Sequence, residues 1–433
     1  MTKVSNIQLL TLEHVIADID RVCEESGLTP SELTVRKYSL NGGKYDGRFL
    51  RRFGGFAAII AEGFAPDKDK DLPTSRYLQR RRSYVSNLEK ELADWAFLRN
   101  SVFESFERAF KQTEPFRGTQ IRKSDKPRVA AMTRSNVVVI SDTHMGLRIS
   151  PEEILTNGYD WRIAARRLGK MCQQGAEFKL DHRDECAELH VCLGGDLGQG
   201  LIHYQSDNGT DLITYQITGI VSYIVQALDY WRKSYNRVIV HCVPDNHMRL
   251  THKGPDRTTA QKFDSFATMI YLGLQMAFRT CPDVTFDIPK TAIDTFDVLG
   301  HKFGLTHGDT HIDTGNVGQT INIKAISTQA LKLNAAVRDG RPYECLILCH
   351  VHTPLSMPLA ESNTELVVNG TMSGTDGFSD SIGYYRTIPY QVMFECTQPY
   401  VVGDFRKVRL DDADEDPFFE RIIKPYNYEL MLK

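Results

Sequence analysis

The sequence predicts an α/β protein in which a strand-rich domain follows a small all-α part. Three observations support this prediction: chain length, apolar periodicity and the distribution of charge. A chain of 433 residues has room for about two to three domains. From residue 135 onward, short apolar runs alternate with helical segments, whereas the earlier residues show helical spacing only.

These patterns predict four segments along the chain. They are a helical domain at 1–65, a linker with a long helix and a basic connector at 66–134, a main domain at 135–410 and an acidic tail at 411–433. The acidic run at 411–416 is expected to be solvated, or to compete with phosphates for the basic segment.

The composition is that of an ordinary globular chain, with 41% hydrophobic and 25% charged residues. The longest apolar run has six residues, Phe56 to Ala61, far fewer than the ~20 that cross a membrane. No secretory signal is predicted from the first residues. The nine scattered cysteines contain no C-x-x-C pair, which argues against a cysteine-built zinc site. We therefore expect a soluble, cytoplasmic protein without membrane contact.

The net charge of −3 is the sum of two opposed parts. Residues 1–134 contain 24 Lys+Arg and 18 Asp+Glu, net +6, whereas the remainder contains 28 and 37, net −9. This asymmetry predicts different partners for the two parts, with nucleic acid favoured for the first.

The helical part begins with a predicted helix over residues 11–26, where Val15, Ile16, Ile19 and Val22 recur at helical spacing. The segment after it mixes basic and aromatic residues. Its candidate phosphate contacts are Lys37, Lys44, Arg48, Arg51 and Arg52. The interleaved aromatics either stack on bases or form a small core, as with Tyr38, Tyr45, Phe49 and Phe53.

The motif Leu28-Thr29-Pro30 and the later run Arg51 to Phe56 resemble the small helical repeat attached to homing endonucleases. The resemblance covers about 55 residues, and it implies DNA binding. Further along, residues 75–110 carry an apolar stripe at three- and four-residue steps, which predicts a long amphipathic helix. Its stripe either pairs with a second copy, giving a homodimer, or folds back on its own chain.

Polar, metal-competent residues follow five strand-like runs of the main domain. In chain order they are Asp142 and His144, Asp196, Asn246 and His247, His307, and His350 and His352. Because strand ends at one sheet edge are where α/β proteins assemble their sites, we expect these side chains to meet. Histidine, aspartate and asparagine without thiolate suit Mn, Fe, Zn or Ni better than Mg or Ca.

This order of motifs resembles that of the calcineurin-like metallophosphoesterases over about residues 135–400. The resemblance implies a β-sandwich flanked by helices and two divalent transition-metal ions, with manganese favoured. It assigns Asp142, His144, Asp196 and His352 to the first ion. It assigns Asp196 as a bridge, with Asn246, His307 and His350, to the second. His247 becomes the acid that protonates the leaving oxygen.

The sequence departs from that family pattern near three motifs. Asp245 and Cys349 replace glycines, and Met248 replaces the acid that usually follows the histidine. A second aspartate after Asp196 is also absent, and we expect Asp245 or Asp309 to take over its role. Candidate substrate-phosphate contacts in the neighbouring loops are His203, Arg249 and Lys253.

The sequence favours a phosphodiesterase that uses a metal-activated hydroxide, a nuclease acting on DNA. One alternative is a phosphomonoesterase or cyclic-nucleotide phosphodiesterase, since the same ligands serve these reactions. The other is a DNA-binding or assembly protein whose metallophosphoesterase site has decayed, as the substitutions at Asp245 and Met248 suggest.

Overall fold

The computed structural model describes most of the main domain and three helices of the N-terminal part. The described residues are 12–30, 32–40, 50, 55–63, 133–152, 154, 157–180, 186–201, 210–250, 262–310, 321–337, 339–360, 362–377, 380 and 387–427. The chain divides into two compact units, Met1–Ser101 and Val102–Lys433. The predicted helix over 75–110, and with it the homodimer prediction, lies outside the described residues.

The first unit contains helices α1 (Leu12–Ser26), α2 (Val35–Leu40) and α3 (Phe56–Gly63). The predicted first helix is confirmed, and its apolar face is buried. Tyr38 is fully buried, with its ring 5.5 Å from that of Phe56 and its hydroxyl donating to Asp18 over 2.5 Å. Tyr38 therefore belongs to the small core and is not available to stack on bases.

The second unit contains a six-stranded sheet. Its strands are β1 (Arg134–Ile140), β2 (Cys186–Leu193), β3 (Arg237–Cys242), β4 (Val284–Asp287), β10 (Tyr390–Thr397) and β11 (Phe405–Arg409). The order across the sheet is β11-β10-β1-β2-β3-β4. Strands β1 to β4 are parallel, which follows from the helical crossovers between them.

A five-stranded sheet packs against the first. It is formed by β5 (Ile293–Val298), β6 (His301–Thr306), β7 (Cys345–Leu348), β8 (Leu355–Leu359) and β9 (Thr364–Val368). The order is β5-β6-β7-β9-β8, with β6, β7 and β9 parallel. Side chains such as Val139, Phe303, Ile347 and Phe394 fill the space between the two sheets.

Helices cover the outer faces of this sandwich. Three are α4 (Trp161–Leu180), α5 (Ile213–Ser234) and α6 (Phe266–Ala277), and α5 packs against both of the others and contacts β3. The fourth, α7 (Ile323–Ala336), packs its apolar side on the second sheet. The protein is thus a mixed α/β fold with two sheets flanked by helices, as predicted. No helix among the described residues is long and apolar enough to cross a membrane.

The acidic run near the end of the chain lies against α4. Two short 3₁₀ helices, Asp411–Ala413 and Pro417–Arg421, contact this helix. Arg167, only 1% exposed, donates to Asp414 from Nε over 2.7 Å, and Arg166 pairs with Glu420 at 2.7 Å. The run therefore packs against α4 through Asp412 and Asp414, whereas Glu415 and Asp416 are exposed, as expected for a solvated run.

Candidate metal centre

The polar motifs lie where the parallel strands end. Asp142 and His144 follow β1, Asp196 follows β2, and Asn246 and His247 follow β3 in the first sheet. In the second sheet, His307 comes directly after β6, and His350 and His352 follow β7. Both sheets therefore supply side chains to one edge of the sandwich.

The backbone at these strand ends adopts an unusual conformation. Seven non-glycine residues of the described chain have positive φ, and five of them belong to the motifs: Asp142, His144, Asp196, His350 and His352. Left-handed backbone is costly for residues other than glycine and concentrates at functional sites. The conformation turns each side chain sharply from its strand toward a common point.

The first group of candidate ligands consists of Asp142, His144 and His352, whose ligand atoms lie within 4.8 Å of one another. Nε2 of His352 is 3.2 Å from Oδ1 of Asp142 and 3.5 Å from Nε2 of His144. All three side chains are nine-tenths buried or more. Nδ1 of His144 is buried without a hydrogen-bond partner.

The second group consists of Asp196, His307 and His350, also within 4.8 Å of one another. Nε2 of His307 lies 3.0 Å from Oδ2 of Asp196 and 2.8 Å from Oδ1 of Asn246. Nδ1 of His307 donates to the carbonyl of Gly194 over 2.8 Å. This bond leaves the other ring nitrogen facing the carboxylate and the amide oxygen.

Backbone hydrogen bonds hold the two groups side by side. The amide of His350 donates to both carboxylate oxygens of Asp142 at 3.2 and 3.3 Å. The amide of Asp142 donates to the carbonyl of Gly195, and that of His144 to the carbonyl of Asp196, each over 3.0 Å. The loops after β1, β2 and β7 therefore form one connected frame.

Burial and neighbouring charges shift the pKa values of the histidines of the centre in opposite directions. Burial lowers the pKa of His307, yet the Asp196 carboxylate beside it outweighs burial and raises that pKa to about 10. Burial and the neighbouring His247 lower the pKa of His144 to about 3. Burial and His307 lower the pKa of His350 to about 4. His144 and His350 are therefore neutral near pH 7, which is the ligand form that a divalent cation requires, whereas a cation would have to displace the proton of His307.

The donors present fit two divalent transition-metal ions. Each group offers two imidazole nitrogens and one carboxylate, and Asn246 adds an amide oxygen to the second. The two buried carboxylates, Asp142 and Asp196, repel one another, and bound cations would offset that charge. The structure groups Asp142 with His144 and His352, and Asp196 with His307 and His350, whereas the bridging role that the resemblance implies for Asp196 stays a prediction.

His247 lies beside both groups. Its Nε2 is 3.8 Å from Oδ2 of Asp196, and its ring centroid is 4.7 Å from that of His144. Its Nδ1 donates to the carbonyl of Gln199 over 3.0 Å. A backbone carbonyl thus orients His247, so the replacement of the usual acid by Met248 does not leave the ring without an orienting partner.

Asp245 connects the loops after β2 and β3. Its carboxylate accepts from the amide of Asp196 over 2.8 Å and from the amide of Met248 over 2.7 Å, and it is 1% exposed. Burial and Asp196 raise its pKa to about 6. Asp245, where the family pattern has glycine, therefore fixes both the candidate bridge and the turn that carries His247.

Cys349, the other replacement of a glycine, packs over Gly194. A Cβ on Gly194 would lie 2.3 Å from Sγ of Cys349. Gly194, two residues before Asp196, thus makes room for the cysteine.

Of the remaining predicted site residues, the structure describes Arg249 and Lys37. Arg249 is half-buried in the turn after His247, and Lys37 is exposed on α2 of the first unit. The others lie outside the described residues: His203, Lys253, Lys44, Arg48, Arg51 and Arg52.

Two contributors went unrecognised in the sequence. Lys262 pairs with Asp309 at 2.6 Å, close to His307 and His350. The second is the Gln199 carbonyl. A lone lysine and a backbone carbonyl carry no motif, so only their spatial placement identifies them.

No family profile matches the chain, and no curated protein matches it. Solved structures do. Zn-complexed Vps29 from Entamoeba histolytica has 12% identity and TM-score 0.27, over 64% of this chain and 99% of its own. A predicted phosphoesterase from Streptococcus pneumoniae TIGR4 has 11% sequence identity and a TM-score of 0.24, and the match covers 64% of this chain and 99% of that protein. A hypothetical protein from Pyrococcus horikoshii OT3 has 11% sequence identity and a TM-score of 0.33, and the match covers 67% of this chain and 95% of that protein. At these scores the similarity assigns no activity to this chain.

Proposed function

We propose that the chain is a metal-dependent phosphoesterase, and more specifically a phosphodiesterase that cleaves DNA. The observation that carries the proposal is the convergence of two His/Asp groups around Asp142 and Asp196 at the strand ends. When bound, two divalent ions supply Lewis-acid activation of water and of the phosphoryl oxygens. The order of the motifs along the chain supports phosphate esters as the substrate class.

The chain's own residues have separate tasks in this proposal. The carboxylates of Asp142 and Asp196 would hold the divalent ions at the point where the scissile phosphate binds. Asn246 and the four histidines of the two groups would provide the remaining protein ligands. His247 faces this point through Nε2 while its Nδ1 is occupied by the Gln199 carbonyl. Nε2 is therefore the atom from which a proton passes to the leaving oxygen.

The preference for a nucleic acid rests on the first part of the chain. Residues 1–134 carry a net charge of +6, and the first unit has its own core. Lys37 is exposed there and directs its ammonium group to a backbone carbonyl, that of Glu32, over 3.3 Å. Together with Lys44, Arg48, Arg51 and Arg52 it forms the proposed phosphate-contacting set, referred to below as the basic set.

The test compares three substrates on the full-length protein with Mn²⁺: duplex DNA, bis-p-nitrophenyl phosphate and p-nitrophenyl phosphate. The proposal expects both diesters to be cleaved faster than the monoester. Cleavage of the monoester alone would contradict a phosphodiesterase, and absence of all three activities in metal-replete protein would contradict a phosphoesterase.

A variant in which all five residues of the basic set become alanine tests the DNA step separately. We expect weaker DNA binding, a shallower salt dependence and unchanged hydrolysis of bis-p-nitrophenyl phosphate. The matched control removes charge from the same unit at Arg21, whose guanidinium pairs with Asp18 and Glu25. Equal DNA affinity in the five-residue variant and the Arg21→Ala control would exclude the basic set as the contact.

A further inference from the structure

A third group of histidine and aspartate side chains lies between the edges of the two sheets, apart from the first and second groups. His241 belongs to β3, Asp287 is the last residue of β4, and Asp294 belongs to β5. Their ligand atoms lie within 4.8 Å of one another. We refer to these three residues as the edge cluster.

Strand register explains why the side chains of the edge cluster meet. His241 and Asp287 are partners in the parallel pairing of β3 with β4, so both project from the same face of the first sheet. Asp294 projects from the buried face of β5 in the second sheet, and its Oδ2 is 3.0 Å from Nδ1 of His241. His241 and Asp294 are each 2% exposed, whereas Asp287 reaches solvent.

The ring of His241 is fixed from two sides. It stacks on Phe296 with centroids 3.6 Å apart, and its Nε2 lies 3.0 Å from Nδ1 of His190. When Nε2–H donates to His190, the Nδ1 lone pair of His241 faces the carboxylates. Histidines that bind metals are held in this way, with the second ring nitrogen donating to a neighbouring acceptor.

The carboxylates of the edge cluster lack a compensating cation. Within the described part of the chain, no lysine or arginine forms an ion pair with Asp287 or Asp294. Burial raises the pKa of Asp294 to about 7, and burial and the Asp294 charge raise that of Asp287. The charged form of Asp294 is buried without a cationic partner, which is costly, and a divalent ion would provide the compensating charge.

We propose that the edge cluster binds one divalent transition-metal ion, with Zn²⁺ the best fit, which fastens the edge of one sheet to the edge of the other. An imidazole nitrogen and two carboxylate oxygens are ligands that Zn²⁺ accepts. Tetrahedral zinc bonds of roughly 2.0–2.2 Å place ligand atoms about 3.3–3.6 Å apart. Nδ1 of His241 and Oδ2 of Asp294 are already 3.0 Å apart. The solvent side of Asp287 leaves a fourth position for water.

The proposal is tested by counting ions in the full-length protein. Chelator-stripped protein is titrated with Zn²⁺ against a chromophoric chelator, and bound zinc is measured after dialysis. The variant Asp287→Asn removes the carboxylate charge but keeps the size of the side chain, and the residue is exposed at the end of β4. The matched control is Asp297→Asn, which removes a carboxylate from the exposed face of β5, where it pairs with Arg341 at 2.8 Å.

We expect Asp287→Asn to bind one zinc equivalent fewer than the wild type, and Asp297→Asn to bind the same number as the wild type. Asp294→Asn, as a second variant, is expected to lose the same equivalent. Equal stoichiometry in the wild type and both edge-cluster variants would overturn the proposal.

The first and second groups of candidate ligands together are called the strand-end centre below. A variant of this centre separates the zinc result from the proposed function. Asp196→Asn is expected to lose hydrolysis. It should still bind one Zn²⁺ at the edge cluster, and that binding should still raise its Tm. If Zn²⁺ raises the Tm of Asp196→Asn and of Asp196→Asn/Asp287→Asn equally, the edge cluster is not a zinc site, whatever the outcome of the activity assays.

Discussion

The strand-end centre and the edge cluster are built from the same residue types on different backbones. In the centre, five of the candidate ligands have positive φ and lie in loops after strands. In the edge cluster, all three residues lie within regular strands and meet through register. Loops give each ligand an independent direction and access to substrate, whereas strands give a fixed arrangement that only a small ion can enter. The comparison therefore separates a site suited to chemistry from one suited to holding two sheets together.

The largest effect is expected where the candidate bridge is removed. Asp196→Asn should lower kcat/KM for bis-p-nitrophenyl phosphate by at least about 10³-fold, because the carboxylate lies between His307 of the second group and the proposed acid His247, and a neutral amide does not hold the same charge. Steady-state kinetics in Mn²⁺ measure this effect. The control Asp297→Asn should retain wild-type rates. An Asp196 variant with more than a tenth of the wild-type rate would contradict the assignment.

A large loss of stability is expected at a glycine of the centre. A Cβ at Gly200, where φ is +66°, would lie 1.8 Å from the carbonyl oxygen of His247. Gly200→Ala should therefore lower the free energy of unfolding by about 3 kcal/mol, from backbone strain plus overpacking. Gly340 has nearly the same φ, +70°, with open space around it, so Gly340→Ala should cost only about 1 kcal/mol. Urea unfolding compares the two, and equal losses would show that the close approach at Gly200 is unimportant.

A smaller effect is expected at Asp245, which acts on the ligands through backbone amides. Asp245→Asn cannot accept both bonds from Asp196 and Met248, because an amide nitrogen is a donor. We expect the affinity for Mn²⁺, measured by calorimetry, to fall by roughly 10- to 100-fold. Met248→Leu keeps both the buried volume and the backbone amide, so it should change the affinity by less than about threefold. An unchanged affinity in Asp245→Asn would exclude a positioning role.

The smallest effect is expected on the pH dependence of stability, at the pair of His301 and Glu344, which belongs to neither the strand-end centre nor the edge cluster. Burial lowers the pKa of His301, but the bonds to Glu344 and to the carbonyls of Thr397 and Gln398 outweigh burial and raise it. The charged form is therefore favoured by folding. Its contribution is complete below about pH 6.5 and is lost as the pH rises through the folded pKa.

The measurement is urea unfolding of the wild type and His301→Gln at pH 6 and pH 8. The stability advantage of the wild type should shrink by less than about 1 kcal/mol over this interval, because the pair is partly exposed to solvent. An advantage that grows with pH would contradict the sign of the shift.

Much of the fold and of the candidate site could be predicted because both depend on local pattern. Runs of apolar residues such as Val137 to Ile140 identify strands, and the polar residues that follow them must lie at strand ends. The order of the motifs therefore indicated which side chains meet. The departures from the pattern pointed to Asp245 or Asp309 as a supporting residue, but the pattern did not identify the amides that Asp245 binds, the Gln199 carbonyl or Lys262 as the partner of Asp309, since these contacts join segments that carry no shared motif.

The sequence by itself thus determined the strands of the main domain and the residue types at their ends, because hydrophobic periodicity is a local property. Only the tertiary structure decided that the acidic run packs on α4 and that His241, Asp287 and Asp294 form the edge cluster. The physical reason is the same in both cases. Charge compensation and sheet-to-sheet contact depend on which distant residues the fold brings within a few ångströms, and no local spacing records that distance.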